Sequence, residues 1–360
     1  MRKTVLEVNI NEFKNNISKI KKYVNNKEIM PVIKANGYGT FINTNIDLLN
    51  DFNIVAVALV EEAISLRKMG YKKDIFVLNQ PDIHEVEYFF EYNIIVGLSD
   101  KSFLDAMIKL NQKYVVHLEI ETGMNRTGIN IDDLPYFLEK IKNSKIVVEG
   151  IYSHLSSAHF DEKYTLMQID LFKKALSIVN EYNLSIKYVH LSASNGILNY
   201  ENLDFTNMVR PGLIMYGYES FKGCHKIINT NPICKLKSTI TFIKEVPANT
   251  AIGYSQKYIC KDDKVIATIP LGYGDGFRRC LSNKGYVFIN GVKAPIVGTI
   301  CMDSFMVDIS DVKDVKVGDE VIIFDNYNIS LDDVAELCDT INYEILCNLN
   351  TRIPRLFIEE

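Results

Sequence analysis

No apolar run in this 360-residue chain approaches the roughly 20 residues that cross a bilayer, so a membrane-spanning helix is not expected. There is no surplus of basic charge. Lys+Arg number 40 against Asp+Glu 45, a net −5, and such a chain lacks the basic stripe of a nucleic-acid binder. Seven cysteines (Cys224, Cys234, Cys260, Cys280, Cys301, Cys338, Cys347) include no CxxC spacing and are odd in number. That argues for a reducing compartment and against both a disulfide framework and a zinc site. The histidines show no HxxxH spacing, so no structural metal is expected. The opening, MRKTVLEVNINEF, starts basic, but Glu7, Asn9 and Asn11 break its apolar stretch. It reads as no signal peptide, and the expected location is the cytoplasm.

What is present is globular composition, 47% hydrophobic and 24% charged. The length suggests two domains, or a barrel of about 250 residues with a smaller unit attached. Over the first 220 residues, β-rich runs alternate with helical patterns. The runs are VLEVNI, MPVIKA, IVAVALV, DIFVLN, IIVGLS, YVVHLEIET, KIVVEGIYSHL, IKYVHLSAS and MVRPGLIMYG. Phe13, Ile17, Ile20 and Val24 are spaced for one helix face, as are Leu166, Ile169, Phe172 and Leu176. Eight or nine such strands favour a closed (β/α)8 TIM barrel over an open sheet. After about residue 230 the strands follow one another with one short helix, LDDVAELC. The expected division is an α/β barrel over residues 1–229 and a mostly β domain over 230–360.

In such a barrel, polar residues at C-terminal strand ends read as catalytic. MPVIKA ends in Lys34. Desolvation there would lower its pKa and make its amine a nucleophile or base. The alternative is a surface lysine just past the strand. Tyr38 follows in a Gly-flanked turn, where a phenol can meet an anion. In VVHLEIET, residues two apart share a face, which places His117, Glu119 and Glu121 together, toward the barrel interior. They need partners there, and Arg126 is the nearest candidate. His154 and Ser194 end two further strands. Each is individually as consistent with a satisfied core histidine or a helix cap. Arg210, Pro211 and Gly212 form a strand-to-loop turn of the kind that holds phosphate. In the β domain, Tyr254 sits in a turn, and Met302 and Asp303 lie between strands. LGYGDGF has three glycines but is not GxGxxG, so it is read as a turn.

These pieces, in this order, resemble the alanine racemase family of pyridoxal-phosphate enzymes. VIKANGYGT is the most specific motif. TGMNRTGI, HLSASNGI, RPGLIMYG, GYSQKY, PLGYGDGF and GTICMD follow in family order. The resemblance implies that Lys34 holds pyridoxal 5'-phosphate as a Schiff base. It implies a cytoplasmic homodimer supplying D-alanine as a peptidoglycan precursor, with active sites shared across the interface and Tyr254 reaching the cofactor from the partner. Arg210 then matches the residue facing the pyridine nitrogen. Tyr38, Ser194, Gly212 and Leu213 match the phosphate contacts, and His154 flanks the ring. Arg126 and Met302 match the substrate-carboxylate site, while Tyr273 and Asp303 shape the entrance. Racemisation needs the α-proton removed from one face and returned on the other, by Lys34 and Tyr254. Tyr254 then needs a cationic or hydrogen-bonding neighbour such as His154, because a phenol ordinarily titrates near 10. An arginine opposite the ring nitrogen keeps that nitrogen unprotonated and limits side reactions.

The chain also departs from the family. Glu119 stands where many members have a lysine modified to a carbamate, and is expected to brace Arg126 directly. Thr351 stands where a phosphate-contacting tyrosine is common, which should widen the pocket. Thr299 replaces a frequent arginine and removes a charge from the entrance corridor. Ala193-Ser194 replaces an Asn-Ser pair. These changes open serine or a broader amino-acid range beside alanine as substrate. A barrel decarboxylase is disfavoured by Arg210 and the missing Gly-rich phosphate turn. A non-catalytic cofactor carrier is disfavoured by Tyr254 and the second domain.

Overall fold

The computed structural model describes residues 2–200, 203–221, 223 and 226–359, so Cys224 lies outside the described residues. Eight parallel strands form the first sheet: β2 (Glu28–Ile29), β3 (Ile54–Val57), β4 (Asp74–Val77), β5 (Ile95–Leu98), β6 (Val115–Glu119), β7 (Val147–Tyr152), β8 (Tyr188–Ala193) and β9 (Met208–Arg210). Their order is β2-β9-β8-β7-β6-β5-β4-β3. A bridge between Val32 and Ala56 joins the two ends, so the sheet closes into a barrel. Helices follow the strands as crossovers, and the all-buried patterns of β3 and β5 match strands covered on both faces.

The first strand, β1 (Val5–Asn9), is not a barrel strand, although the alternation placed VLEVNI among them. It pairs antiparallel with β10 (Cys234–Thr239) and parallel with β17 (Arg355–Ile358). The second sheet is completed by β11 (Phe242–Val246), β12 (Lys264–Ile269), β13 (Tyr286–Ile289), β14 (Val292–Val297), β15 (Phe305–Asp308) and β16 (Glu320–Phe324). Its order is β11-β12-β15-β14-β13-β16-β10-β1-β17. The clean alternation of β1, half-buried then buried, fits a sheet with one face on the core.

The helix over Ile10–Tyr23 buries Phe13, Ile17 and Ile20 as its spacing predicts, and Asn9 caps its start. In the helix over Glu162–Glu181 the buried face is shifted. Leu166 is exposed, and Thr165 and Gln168 are buried beside Ile169 and Phe172. Gln168 is buried because it bonds the site loops, donating to the His154 carbonyl and accepting from the Ser156 N–H. Beyond the expected helix near 331, a second runs over Asn342–Asn348.

Candidate active site

One cavity of about 220 Å³ opens at the C-terminal end of the barrel. Its wall holds Lys34 after β2, Arg126 after β6, His154 after β7, Ser194 after β8, and Arg210 and Gly212 at the end of β9. Together they come from the ends of five strands, so strand geometry alone points six side chains or amides at one space. Tyr38, Leu213 and Tyr343 also line it.

Lys34 sits at the start of a tight left-handed turn. Ala35 (φ 53°), Asn36 (φ 53°), Gly37 (φ 60°) and Tyr38 (φ 56°) all have positive φ. For residues other than glycine this conformation costs about 1–2 kcal/mol each, so surrounding bonds must hold it. Burial lowers the pKa of the Lys34 amine. The positive charges of Arg126 and Arg210 act the same way, and Glu62 and Cys347 oppose them. A lysine that gives up its proton more readily than usual is a better nucleophile or base than one in water.

The far side of the cavity has a seat for an anion. The Gly212 N–H donates to Ser194 Oγ at 3.2 Å. A Cβ at position 212 would overlap the Tyr38 hydroxyl, so only glycine leaves room for it. Tyr38 is held against Tyr216 and Tyr343, with ring centroids 4.9 and 6.0 Å away.

Arg210 is buried and heads a hydrogen-bond chain through the barrel interior. Its NH1 lies 2.9 Å from His190 Nδ1, and His190 Nε2 lies 2.9 Å from His117 Nδ1. An arginine only donates, which assigns every proton. His190 Nδ1 accepts, its Nε2 donates to His117 Nδ1, and His117 keeps its proton on Nε2, which has no partner among the described residues. Both rings are neutral: burial, aided by the Arg210 charge, pushes His117 down to about 3 and His190 well below its ordinary value. Arg210 NH2 donates to the carbonyls of Ser153 and Leu191. Burial brings its pKa down only to about 10, so it stays charged. Gly150 makes the interior wide enough, since a Cβ there would strike the His117 ring.

Several expectations change here. His117 and Glu119 do face inward and are buried, but Glu121 does not join them. It lies past the strand end, and its carboxylate accepts the N–H groups of Gly123 and Asn125. The partner of His117 is His190, not Arg126. Glu119 is not paired with Arg126 either. Its Oε1 accepts from Thr127 Oγ1 at 2.9 Å, and its buried Oε2 has no hydrogen-bond partner within 3.5 Å among the described residues. Burial raises its pKa, while the Thr127 bond, the Arg126 charge and the nearby Tyr152 hydroxyl oppose that. His154 is not a cation. Burial, together with Arg210, Arg126 and Lys34, pushes it down to about 3, so it offers hydrogen bonding only. Thr299 is buried rather than in a corridor, and its hydroxyl donates to the Tyr254 carbonyl at 3.1 Å.

Tyr254, Tyr273 and Met302 are exposed, at 68%, 44% and 53%, and none lines the cavity of this chain. They lie in the second domain with Asp303, which pairs with Arg352 at 2.6 Å. Thr351 is exposed and also stands off the cavity wall, where Tyr343 is the aromatic present. Tyr343, His190 and Glu62 were not singled out from the sequence. An acid at the third position of a helix is a readable capping signal for Glu62. Nothing local marks the other two.

A parallel barrel with a depressed lysine and a buried arginine at its strand ends, followed by a β domain, defines a barrel enzyme with a cofactor-sized cavity. The alanine racemase N-terminal domain matches residues 8–220 and the alanine racemase C-terminal domain residues 233–357. The chain belongs to the alanine racemase family. It is 35% identical to the alanine racemase of Halothermothrix orenii, covering 98% of this chain and 96% of that one. It is 35% identical to the alanine racemase of Methanococcus maripaludis, covering 98% of each. Among solved structures it superimposes on the alanine racemase of Clostridium difficile 630 with a TM-score of 0.94. That match has 32% identity and covers 99% and 96% of the two chains.

Proposed function

We propose that this chain interconverts L- and D-alanine with pyridoxal 5'-phosphate as cofactor, as a homodimer in which each site borrows residues from its partner. The observation that carries the proposal is the single cavity that gathers Lys34, Arg210, Ser194, Gly212 and Tyr38 in a chain of this family. The seat beside Gly212 fits a phosphate group: it offers the buried Ser194 hydroxyl, the Gly212 backbone N–H and the Tyr38 hydroxyl, which stands where a Cβ at 212 would be. Ser194, Gly212, Leu213 and Tyr38 would hold that phosphate, and Lys34 the aldehyde carbon. Arg210, fixed by His190 and by two carbonyls, would face the ring nitrogen as a donor that never gives up its proton. His154 would lie beside the ring as a neutral imidazole.

The bound cofactor supplies an electron sink for the α-carbon of the substrate. The protein does the rest. Lys34 Nζ holds or takes the α-proton on one face. The phenol oxygen of the partner subunit's Tyr254 does so on the other. Arg126, whose guanidinium lines the cavity without a hydrogen-bond partner among the described residues, would take the substrate carboxylate together with the backbone of the partner subunit's Met302. Glu119, bonded to Thr127 one residue away from Arg126, would steady that loop. The partner subunit's Tyr273 and Asp303 would narrow the entrance, with Thr351 leaving it wider than a tyrosine would. The exposure of Tyr254, Tyr273 and Met302 in the lone chain supports this shared arrangement. The reading keeps residues 1–229 as the cofactor domain and 230–360 as the domain that serves the partner, with β1 as the strand that ties them. It places the enzyme in the cytoplasm, supplying D-alanine for peptidoglycan.

The test is chiral chromatography after incubating the cofactor-loaded protein with L-alanine and, separately, L-serine. Faster formation of D-alanine supports the reading. Faster formation of D-serine moves the substrate to serine, and neither product would favour a cofactor carrier.

A further inference from the structure

The strained turn that presents Lys34 has to be held, and at its start it is held by a side chain outside the cavity. Glu62 lies in the first turn of the helix over Val60–Lys68. Its Oε1 accepts the Ala35 N–H at 2.6 Å. Its Oε2 accepts the N–H groups of Ala58 at 2.8 Å and Leu59 at 3.1 Å, just past the end of β3. One carboxylate therefore uses both oxygens to tie the residue after Lys34 to the neighbouring strand end. Within the segment, the Gly37 N–H donates to the Ile33 carbonyl, the Gly39 N–H to Ala35 and the Phe41 N–H to Asn36, and at the far end Arg355 Nε of β17 donates to the Gly39 carbonyl at 3.0 Å. The inner bonds close the turn and Arg355 ties its end to the second sheet, so the tie from its start to the barrel falls to Glu62. The Val32–Ala56 bridge fixes the chain before Lys34, and Glu62 fixes it after.

We propose that Glu62 is a positioning residue for Lys34. Its carboxylate locks the left-handed turn over residues 35–38 to the end of β3, and so sets the direction from which the Lys34 amine enters the cavity. The inference rests on the reading of Lys34 as the acting amine. Glu62 is also the first anion felt by that amine, against Arg126 after β6 and Arg210 at the end of β9, with Cys347 from the helix over Asn342–Asn348 on the same side as Glu62.

The requirement is for two acceptor oxygens at this reach. Glu62→Gln keeps the shape but leaves one acceptor, and Glu62→Asp keeps the charge but is one methylene short. Glu61→Gln, on the exposed neighbour, gives the baseline. Three readouts are taken. Amide hydrogen exchange of the Ala35 segment is measured on the apoprotein. The pH dependence of Lys34 acylation is read by peptide mass on the same apoprotein. The yield of borohydride-trapped pyridoxal 5'-phosphate on Lys34 is measured on the loaded protein. In Glu62→Gln the one remaining oxygen serves the two N–H groups of Ala58 and Leu59 and the amide NH2 faces Ala35, so Ala35 protection should fall by about tenfold or more. The midpoint of Lys34 acylation should move to lower pH, because an opposing negative charge is gone. The trapped yield should drop, and kcat should fall by about tenfold with KM for alanine nearly unchanged, the pattern of a misaligned catalytic group. Glu62→Asp should keep the acylation midpoint while losing the Ala35 protection. Wild-type Ala35 protection and an unmoved acylation midpoint in Glu62→Gln would overturn the proposal and leave Glu62 a helix cap. If no variant and not even the wild type made D-alanine, the racemase reading would fail. The exchange and acylation results would still decide the role of Glu62.

Discussion

At the scale of single residues, the site is built by subtraction as much as by addition. Gly212 matters for the atom it lacks, because the Tyr38 hydroxyl occupies that place. Gly212→Ala should therefore displace Tyr38 and weaken pyridoxal 5'-phosphate binding by about tenfold or more, equivalent to the loss of one or two hydrogen bonds to a charged group. Equilibrium dialysis of the cofactor measures it, and unchanged affinity would refute the assignment of the seat. The buried imidazoles carry a second consequence. His117 and His154 are held near 3 in the folded chain against an ordinary 6.5. The unfolded chain thus binds more protons between those values, and folding stability must fall as pH drops below about 6.5. Each fully affected histidine contributes up to about 1.4 kcal/mol per pH unit. Urea unfolding at stepped pH should show a shallower decline for His117→Phe than for wild type, and equal slopes would contradict the neutral assignment.

At the scale of elements, polar side chains inside the barrel and at its ends do the joining. Asn16 is fully buried on the first helix. Its amide donates to the carbonyls of Met215 and Asn231, and its oxygen accepts the Asn231 N–H. That one side chain ties the helix to the segment after β9. Asn16→Leu leaves three backbone groups without partners and should cost about 2–3 kcal/mol, read from denaturant midpoints. Periodicity in the sequence located the barrel strands and the helix over residues 10–23, because strand and helix faces are set by neighbours two to four residues away. It misplaced β1, since an alternating strand does not say which sheet it joins. It also missed that Gln168 and Thr165 replace Leu166 on the buried face, because the bonds that bury Gln168 come from loops around residues 154 and 156. Lys34, Tyr38, His154, Ser194, Arg210 and Gly212 were legible as strand-end residues. His190 and Tyr343 were not, since only the closed barrel and the second domain bring them near.

At the scale of the molecule, the two bases proposed for the reaction are not gathered in one cavity of the chain. Lys34 lies in its cavity, while Tyr254 stands exposed in the second domain, with Thr299 holding its backbone. Shared sites make a quantitative demand on mixed dimers. Lys34→Ala and Tyr254→Ala subunits should each be inactive alone. Refolded together in equal amounts they should recover about one quarter of wild-type activity, because half of the dimers are mixed and each of those has one intact site. No recovery would place both bases on one chain.

The central claim is that a proton is removed and returned at one carbon by groups on opposite faces. The direct measurement is incubation of the cofactor-loaded protein with L-alanine in deuterium oxide, following the α-position by proton NMR and the product by chiral separation. The expected result is D-alanine that carries deuterium at the α-carbon from its first appearance. Release of the α-proton without any D-alanine, or no exchange at all, would contradict the account.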